Sequence, residues 1–244
     1  MGPITFAHRG ARIDEPENTI PAFRRALEAG VRGLESDAWL SGDGEVVLVH
    51  DGTVGRGLRR KKVPSTSAAE LAEYGVPRLA ELYSELGTHF ELSIDVKDDA
   101  VVAPMLAVAA AAGDEAVGRL WICAPEIGLL GALRASTEAR LVHSERRDHI
   151  HIPLERHAYE LSGLGIDAMN MHHTDWTAGL VALFHRFGVL AFAWDVQEVR
   201  HLRAVLKMRI DGLYCDRPDR MVATVGEWAT GERGDTSVTG SQSE

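Results

Sequence analysis

Four short stretches of the chain carry residue types that could do chemistry. His8-Arg9-Gly10 follows an apolar run, and Glu35-Ser36-Asp37 sets two carboxylates two positions apart. His50-Asp51 adds a second histidine, and Asp95-Val96-Lys97 alternates a carboxylate with an amine. Three carboxylates that converge repel one another unless a cation sits among them. An all-oxygen donor set without cysteine suits Mg²⁺ or Ca²⁺ better than zinc. Arg9 and Lys97 have the opposite sign and suit an anion beside that metal. His8 and His50 are then a general acid and a general base, with nearby carboxylates expected to raise their pKa values. An oxyanion held by metal, Arg and Lys, with proton transfer on both sides, describes phosphodiester cleavage.

Such convergence needs a scaffold that turns distant strand ends toward one point. Strand-like apolar runs are expected at 4–8, 33–39, 92–97, 120–124, 140–144, 168–171, 189–194 and 212–215. Helical patterns follow nearly all of them, as in "ENTIPAFRRALEAG", read as capped by Asn18 and closed by Gly30. Eight strands alternating with helices point to a parallel barrel or a doubly wound sheet, and eight repeats favour the closed (β/α)8 barrel. The 244 residues suit one such domain over 1–230. The polar stretch 231–244, "GERGDTSVTGSQSE", is expected to be disordered.

One unit breaks the alternation. "GLESDAWLSGDGEVVLVHDG" has no helix between its halves, and Asp43-Gly44 signals a hairpin after the second strand. A two-residue turn sets Asp37 opposite His50, and a four-residue loop at 41–44 sets Glu35 there instead. Either register puts Glu35, Asp37 and His50 on one face. In "ELSIDVK", alternation sends Leu92, Ile94 and Val96 one way and Ser93, Asp95 and Lys97 the other. With the apolar set against the helices, Asp95 and Lys97 point to the barrel axis at its C-terminal end, where active sites of such barrels lie. Trp194 ends another strand and is read as partly core and partly a wall of the substrate cleft.

With these residues in hand, "HRG", "ENT", "ESD", "HD" and "DVK" resemble the motifs of glycerophosphodiester phosphodiesterases, which are TIM barrels. The resemblance runs from residue 4 to about 225 and includes "VPRLAEL", "AWDV" and "DGLYCDRPD". It implies His8 and His50 as the acid–base pair, Glu35, Asp37 and Asp95 as metal ligands, and Arg9 and Lys97 as phosphate contacts. The expected reaction is metal-dependent hydrolysis of a small-molecule glycerophosphodiester to glycerol 3-phosphate and an alcohol. Most of the family carries Glu where this chain has Asp95, and sphingomyelinase D-like relatives use Asp there. Asp195 and Cys215 stand where the family has Thr, and "GTVGRGLRRKKVPS" replaces the segment that usually follows His-Asp. The alternatives are therefore a lysophospholipase D or sphingomyelinase D-like enzyme and a non-catalytic phosphodiester-binding module.

Composition bounds the rest. A net charge of −10 argues against a general nucleic-acid or anionic-membrane partner. No apolar run approaches the ~20 residues of a membrane helix. The start "MGPITFAHRG" lacks the regions of a signal peptide, so a cytoplasmic protein is expected. Cys123 and Cys215 sit in apolar runs and read as buried thiols. The histidines of "HSERRDHIHIPLERH" show no ligand spacing and read as loop residues.

Overall fold

Short runs rich in β-branched and apolar residues form the strands, and amphipathic stretches form helices laid against them. The computed structural model describes residues 2–235. Its strands are β1 (Ile4–His8), β2 (Gly33–Leu40), β3 (Val46–Leu48), β4 (Thr53–Val54), β5 (Lys61–Lys62), β6 (Glu91–Val96), β7 (Leu120–Ala124), β8 (Arg140–Ser144), β9 (Ala168–His172), β10 (Leu190–Trp194) and β11 (Gly212–Cys215). Eight of them pair in parallel in the order β1-β11-β10-β9-β8-β7-β6-β2, and β2 pairs back to β1. That pairing closes the expected (β/α)8 TIM barrel. The hairpin strand β3 lies antiparallel on β2, and β4 with β5 forms a separate two-stranded ribbon in the unfamiliar segment after His50.

Strand alternation divides the side chains between two cores. Phe6, Trp121, Val142, Phe192 and Tyr214 point inward and fill the barrel floor, where Phe6 stacks on Tyr214 at 4.8 Å. Leu34, Leu92, Ile94, Ile122, Leu141 and Met169 point outward against the helices. Each such side chain, fully buried, contributes roughly 1.5–3 kcal/mol. Above the floor the inward positions turn polar, and there His8, Glu35, Asp37 and Asp95 stand. Cys123 and Cys215 are buried free thiols, as expected. Among the described residues no helix is long and apolar enough to cross a membrane. The last helix, Pro218–Asp235, runs five residues into the segment expected to lack order, and 236–244 lie outside the described residues.

Three expectations are corrected. The hairpin pairs Ala38 with Leu48 and Leu40 with Val46, a register that neither expected loop gives. The Ser41 amide donates to the Glu45 carbonyl at 2.9 Å, leaving a three-residue loop, 42–44, that closes on Gly44 at φ 86°. Contacts outside the hairpin select it: Asp43 accepts from Ser41 Oγ and from the Ala68 amide, and the Gly42 amide donates to the Thr66 carbonyl. Asp37 therefore faces residue 49, and the pleat does not carry His50 to the carboxylate face. The cap of the helix Ile20–Glu28 is Thr19, whose Oγ1 accepts from the Ala22 amide, while Asn18 is used elsewhere.

The third correction concerns His143 and His157, which are not loop residues. His143 lies on the outward face of β8 and His157 on the helix Leu154–Gly163, each 4% exposed. His143 Nε2 donates to the Pro125 carbonyl at 3.0 Å, and its Nδ1 accepts from His157 Nε2 at 3.1 Å. Burial, with the second ring adding to it, pushes His143 down to about 4, and burial lowers His157 as well. In the unfolded chain both rings protonate near pH 6.5, so between there and pH 4 the unfolded state binds more protons. Stability is therefore lost as pH falls through that window. Urea unfolding at pH 7 and pH 4.5 is expected to show His143 alone costing roughly 2–3 kcal/mol at the lower pH. His143→Gln flattens that part of the response; an unchanged difference between the two pH values would contradict it.

Candidate active site

His8 closes β1 with its ring toward the axis, and the next two residues turn the chain sharply out of the barrel. Arg9 and Gly10 both have positive φ, 55° and 78°. A side chain at Gly10 would meet the Ala22 carbonyl carbon at 2.7 Å, so only glycine lets the turn pass over the first helix. The turn aims the Arg9 amide at Glu35 Oε2, 2.9 Å away. The Arg9 guanidinium reaches Glu17 at 3.0 Å and lies 3.4 Å from Asp37. Asn18, also at positive φ, is 3% exposed; it donates to Asp37 Oδ2 and accepts from Ser36 Oγ. Asn18, read from the sequence as a helix cap, thus stands at the carboxylate cluster, as does Glu17 through Arg9.

Register brings the carboxylates together. His8 pairs with Glu35 across β1 and β2, and Asp37 pairs with Asp95 across β2 and β6. Glu35, Asp37 and Asp95 each offer an oxygen within 4.8 Å of the others. Burial pushes Glu35 up to about 8, against the pull of His8, with Asp37 and Asp95 adding to the rise. Burial also raises Asp95, again opposed, here by Lys97, with Asp37 adding. For Asp37 burial works the same way but loses to Lys97 and Arg9, and the group is held below the usual range. Lys97 Nζ lies 2.9 Å from Asp37 and 3.5 Å from Asp95. Burial and mutual repulsion thus favour the protonated forms of Glu35 and Asp95, a cost that a divalent cation among them would relieve. Three hard oxygen donors in one place fit Mg²⁺ or Ca²⁺.

His8 has a partner that sequence reading missed. Its Nδ1 lies 2.6 Å from Asp216 Oδ1, just past β11, and its Nε2 faces Glu35 Oε2 at 3.8 Å. Burial alone would lower the His8 pKa, but Glu35 and Asp216 override it and the net shift is upward. A carboxylate on Nδ1 fixes the tautomer and turns Nε2 toward Glu35 and the cavity. Asp216 follows inward-facing Tyr214 by two positions, a signal the alternation did contain. Below, Ser93 Oγ bonds Tyr214 Oη at 3.0 Å and Cys123 Sγ at 3.2 Å, tying the floor to the polar layer.

His8, Arg9, Glu35, Asp95 and Trp194 line one open cavity of about 430 Å³ with Asp216. Arg146 lies over the Trp194 ring, 5.6 Å from its centre, at the cavity wall. Lys97 lines an adjoining cleft that shares Asp95. His50 is brought near Asp37, whose pKa its charge lowers, but by the chain leaving β3 after Leu48. It lines a separate groove with Glu17 and Asn18, half-exposed, its Nδ1 on Asp51 at 2.9 Å.

The glycerophosphoryl diester phosphodiesterase family model matches residues 8–220. The chain is 25% identical over 261 residues to a glycerophosphodiester phosphodiesterase of Caldanaerobacter subterraneus, covering 92% of this chain and 98% of that one. The solved glycerophosphodiester phosphodiesterase of Thermotoga maritima has the same fold, with a TM-score of 0.80 at 20% identity, covering 91% and 98% of the two chains. An Oleispira antarctica phosphodiesterase, solved with sn-glycerol-3-phosphate as product, gives a TM-score of 0.79 at 21% identity over 92% and 97%.

Proposed function

Because the chain belongs to the glycerophosphoryl diester phosphodiesterase family, we propose that it hydrolyses glycerophosphodiesters to glycerol 3-phosphate and an alcohol. Glu35, Asp37 and Asp95 hold a divalent cation, Mg²⁺ or Ca²⁺, and His8 and His50 exchange the protons. The observation that carries the reading is His8, oriented by Asp216, beside three mutually repelling carboxylates and two cations. The product bound in the Oleispira antarctica structure is the one expected here.

When bound, the metal polarises the phosphoryl oxygens. Arg9 and Lys97 share the negative charge that grows on those oxygens, as charge-assisted donors do best in a partly dry site. Asp216 keeps the His8 proton on Nδ1, so Nε2 can take or give a proton at the diester. Asn18 donates to Asp37 and is itself held by the Ser36 hydroxyl, which fixes that carboxylate. Trp194, with Arg146 against its ring, forms the wall that meets the alcohol portion.

Asp95 favours a second reading, lysophospholipase D or sphingomyelinase D-like cleavage, since sphingomyelinase D-like relatives carry the shorter side chain there. Product analysis separates the two. Glycerol 3-phosphate from glycerophosphocholine and glycerophosphoethanolamine is the expected result. Choline release from lysophosphatidylcholine alone would replace the first reading with the second. Silence on every substrate with either metal would leave a binding module.

A further inference from the structure

A second cluster stands at the C-terminal ends of β9 and β10, and the hydrolytic scheme does not use it. His172 closes β9 opposite Trp194, and His173 follows it. Asp195 follows Trp194 with φ at 60°, a conformation that costs a non-glycine residue free energy. His172 Nε2 lies 3.2 Å from Asp195 Oδ2, and all three residues offer a donor atom within 4.8 Å of the others. The His173 ring packs at 4.5 Å on His172 and at 4.3 Å on His201. The rings of His172 and His201 thus hold the His173 imidazole between them, beside Asp195.

We propose that His172, His173 and Asp195 form a binding site for a transition-metal dication of the zinc class, distinct from the all-oxygen cluster of Glu35, Asp37 and Asp95. Two imidazoles and one carboxylate are a borderline donor set that prefers Zn²⁺, Co²⁺ or Ni²⁺ to Mg²⁺ or Ca²⁺. Three protein donors leave a fourth position open. Metal–donor bonds of about 2.0–2.2 Å set donors roughly 3–4 Å apart, so rotamer-scale movement closes the site. On its other side His172 Nδ1 accepts from the Thr174 amide at 3.3 Å and lies 2.7 Å from Thr174 Oγ1, contacts that fix the ring and leave Nε2 toward Asp195.

The site is wired to the main cavity. Asp195 lines that cavity, and Gln197 Nε2 donates to Asp195 Oδ1 at 3.2 Å. Gln197 Oε1 accepts from the Asp216 amide at 2.9 Å, and Asp216 holds His8. A metal here therefore sits one hydrogen-bond relay from His8.

Titrating the untagged full-length chain with Co²⁺ in excess Mg²⁺ tests the site by visible absorption. One equivalent is expected to give the bands of a four- or five-coordinate nitrogen and oxygen site, removed by Zn²⁺ and untouched by further Mg²⁺ or Ca²⁺. His172→Ala and His173→Ala should each weaken Co²⁺ binding beyond the ~10–100-fold that loss of an outer-shell partner costs. His201→Ala, which removes a stacking ring but no proposed ligand, and Glu35→Gln should keep the band. No band in the wild-type chain overturns the proposal, as does a band surviving both histidine changes. A band displaced by Mg²⁺ or lost in Glu35→Gln would put the Co²⁺ among the carboxylates and equally overturn it. Neither arm reads hydrolysis, so this site stands or falls apart from the function proposed above.

Discussion

Replacing His8 by glutamine lowers glycerol 3-phosphate release by roughly 10²–10⁴-fold, the usual range for losing a general acid or base. Glutamine can still donate to Asp216, which the imidazole Nδ1 now meets at 2.6 Å, so the strand end keeps its anchor. What it lacks is a group that titrates and faces the cavity. The loss should fall on kcat, with KM little changed and the circular dichroism and melting temperature near wild type. His50→Gln is expected to show a comparable loss, although His50 is more exposed and its Nδ1 leans on Asp51. Near-wild-type kcat in either variant would contradict the acid–base assignment.

Glu35→Gln is the second large effect, and it should move activity and stability in opposite directions. Activity is expected to fall at least ~100-fold with metal-activated turnover lost, since one of three anionic donors is gone. The chelated protein, by contrast, should gain stability. Glu35 is buried beside Asp37 and Asp95, and its raised pKa means that the folded state binds more protons than the unfolded one between about pH 4.5 and pH 8. Stability of the metal-free chain is therefore lost as pH rises through that window, and glutamine removes the loss. Each kcal/mol recovered would raise the melting temperature by ~2–4 °C for a chain of this size. Glutamine keeps an oxygen for the Arg9 amide, so the local turn survives. Full metal-activated turnover, or a chelated variant less stable than the parent at pH 8, would contradict this account of the cluster.

Local pattern carried much of this architecture. The eight barrel strands were readable because each is a short apolar run bounded by turn residues, and the direction of Asp95 and Lys97 followed from alternation in one strand. The hairpin was not readable to the residue. Its loop length is set by Asp43 on Ala68 and by Gly42 on Thr66, contacts made with a segment more than twenty residues away. Asn18 looked like a cap because asparagine is a good one, yet Thr19 takes that place and frees Asn18 for Asp37. Asp216 lies 208 residues from His8, and only closure of β1 on β11 joins them. The pairing of His143 with His157 likewise needed a helix docked on a strand.

Wild-type turnover of glycerophosphocholine before chelation, after chelation, and after Mg²⁺ or Ca²⁺ is returned decides whether the carboxylate cluster drives the reaction. Glycerol 3-phosphate release is expected to stop in chelator and to be restored by one of these cations. Release that continues unchanged in chelator would contradict a reaction built on Glu35, Asp37 and Asp95.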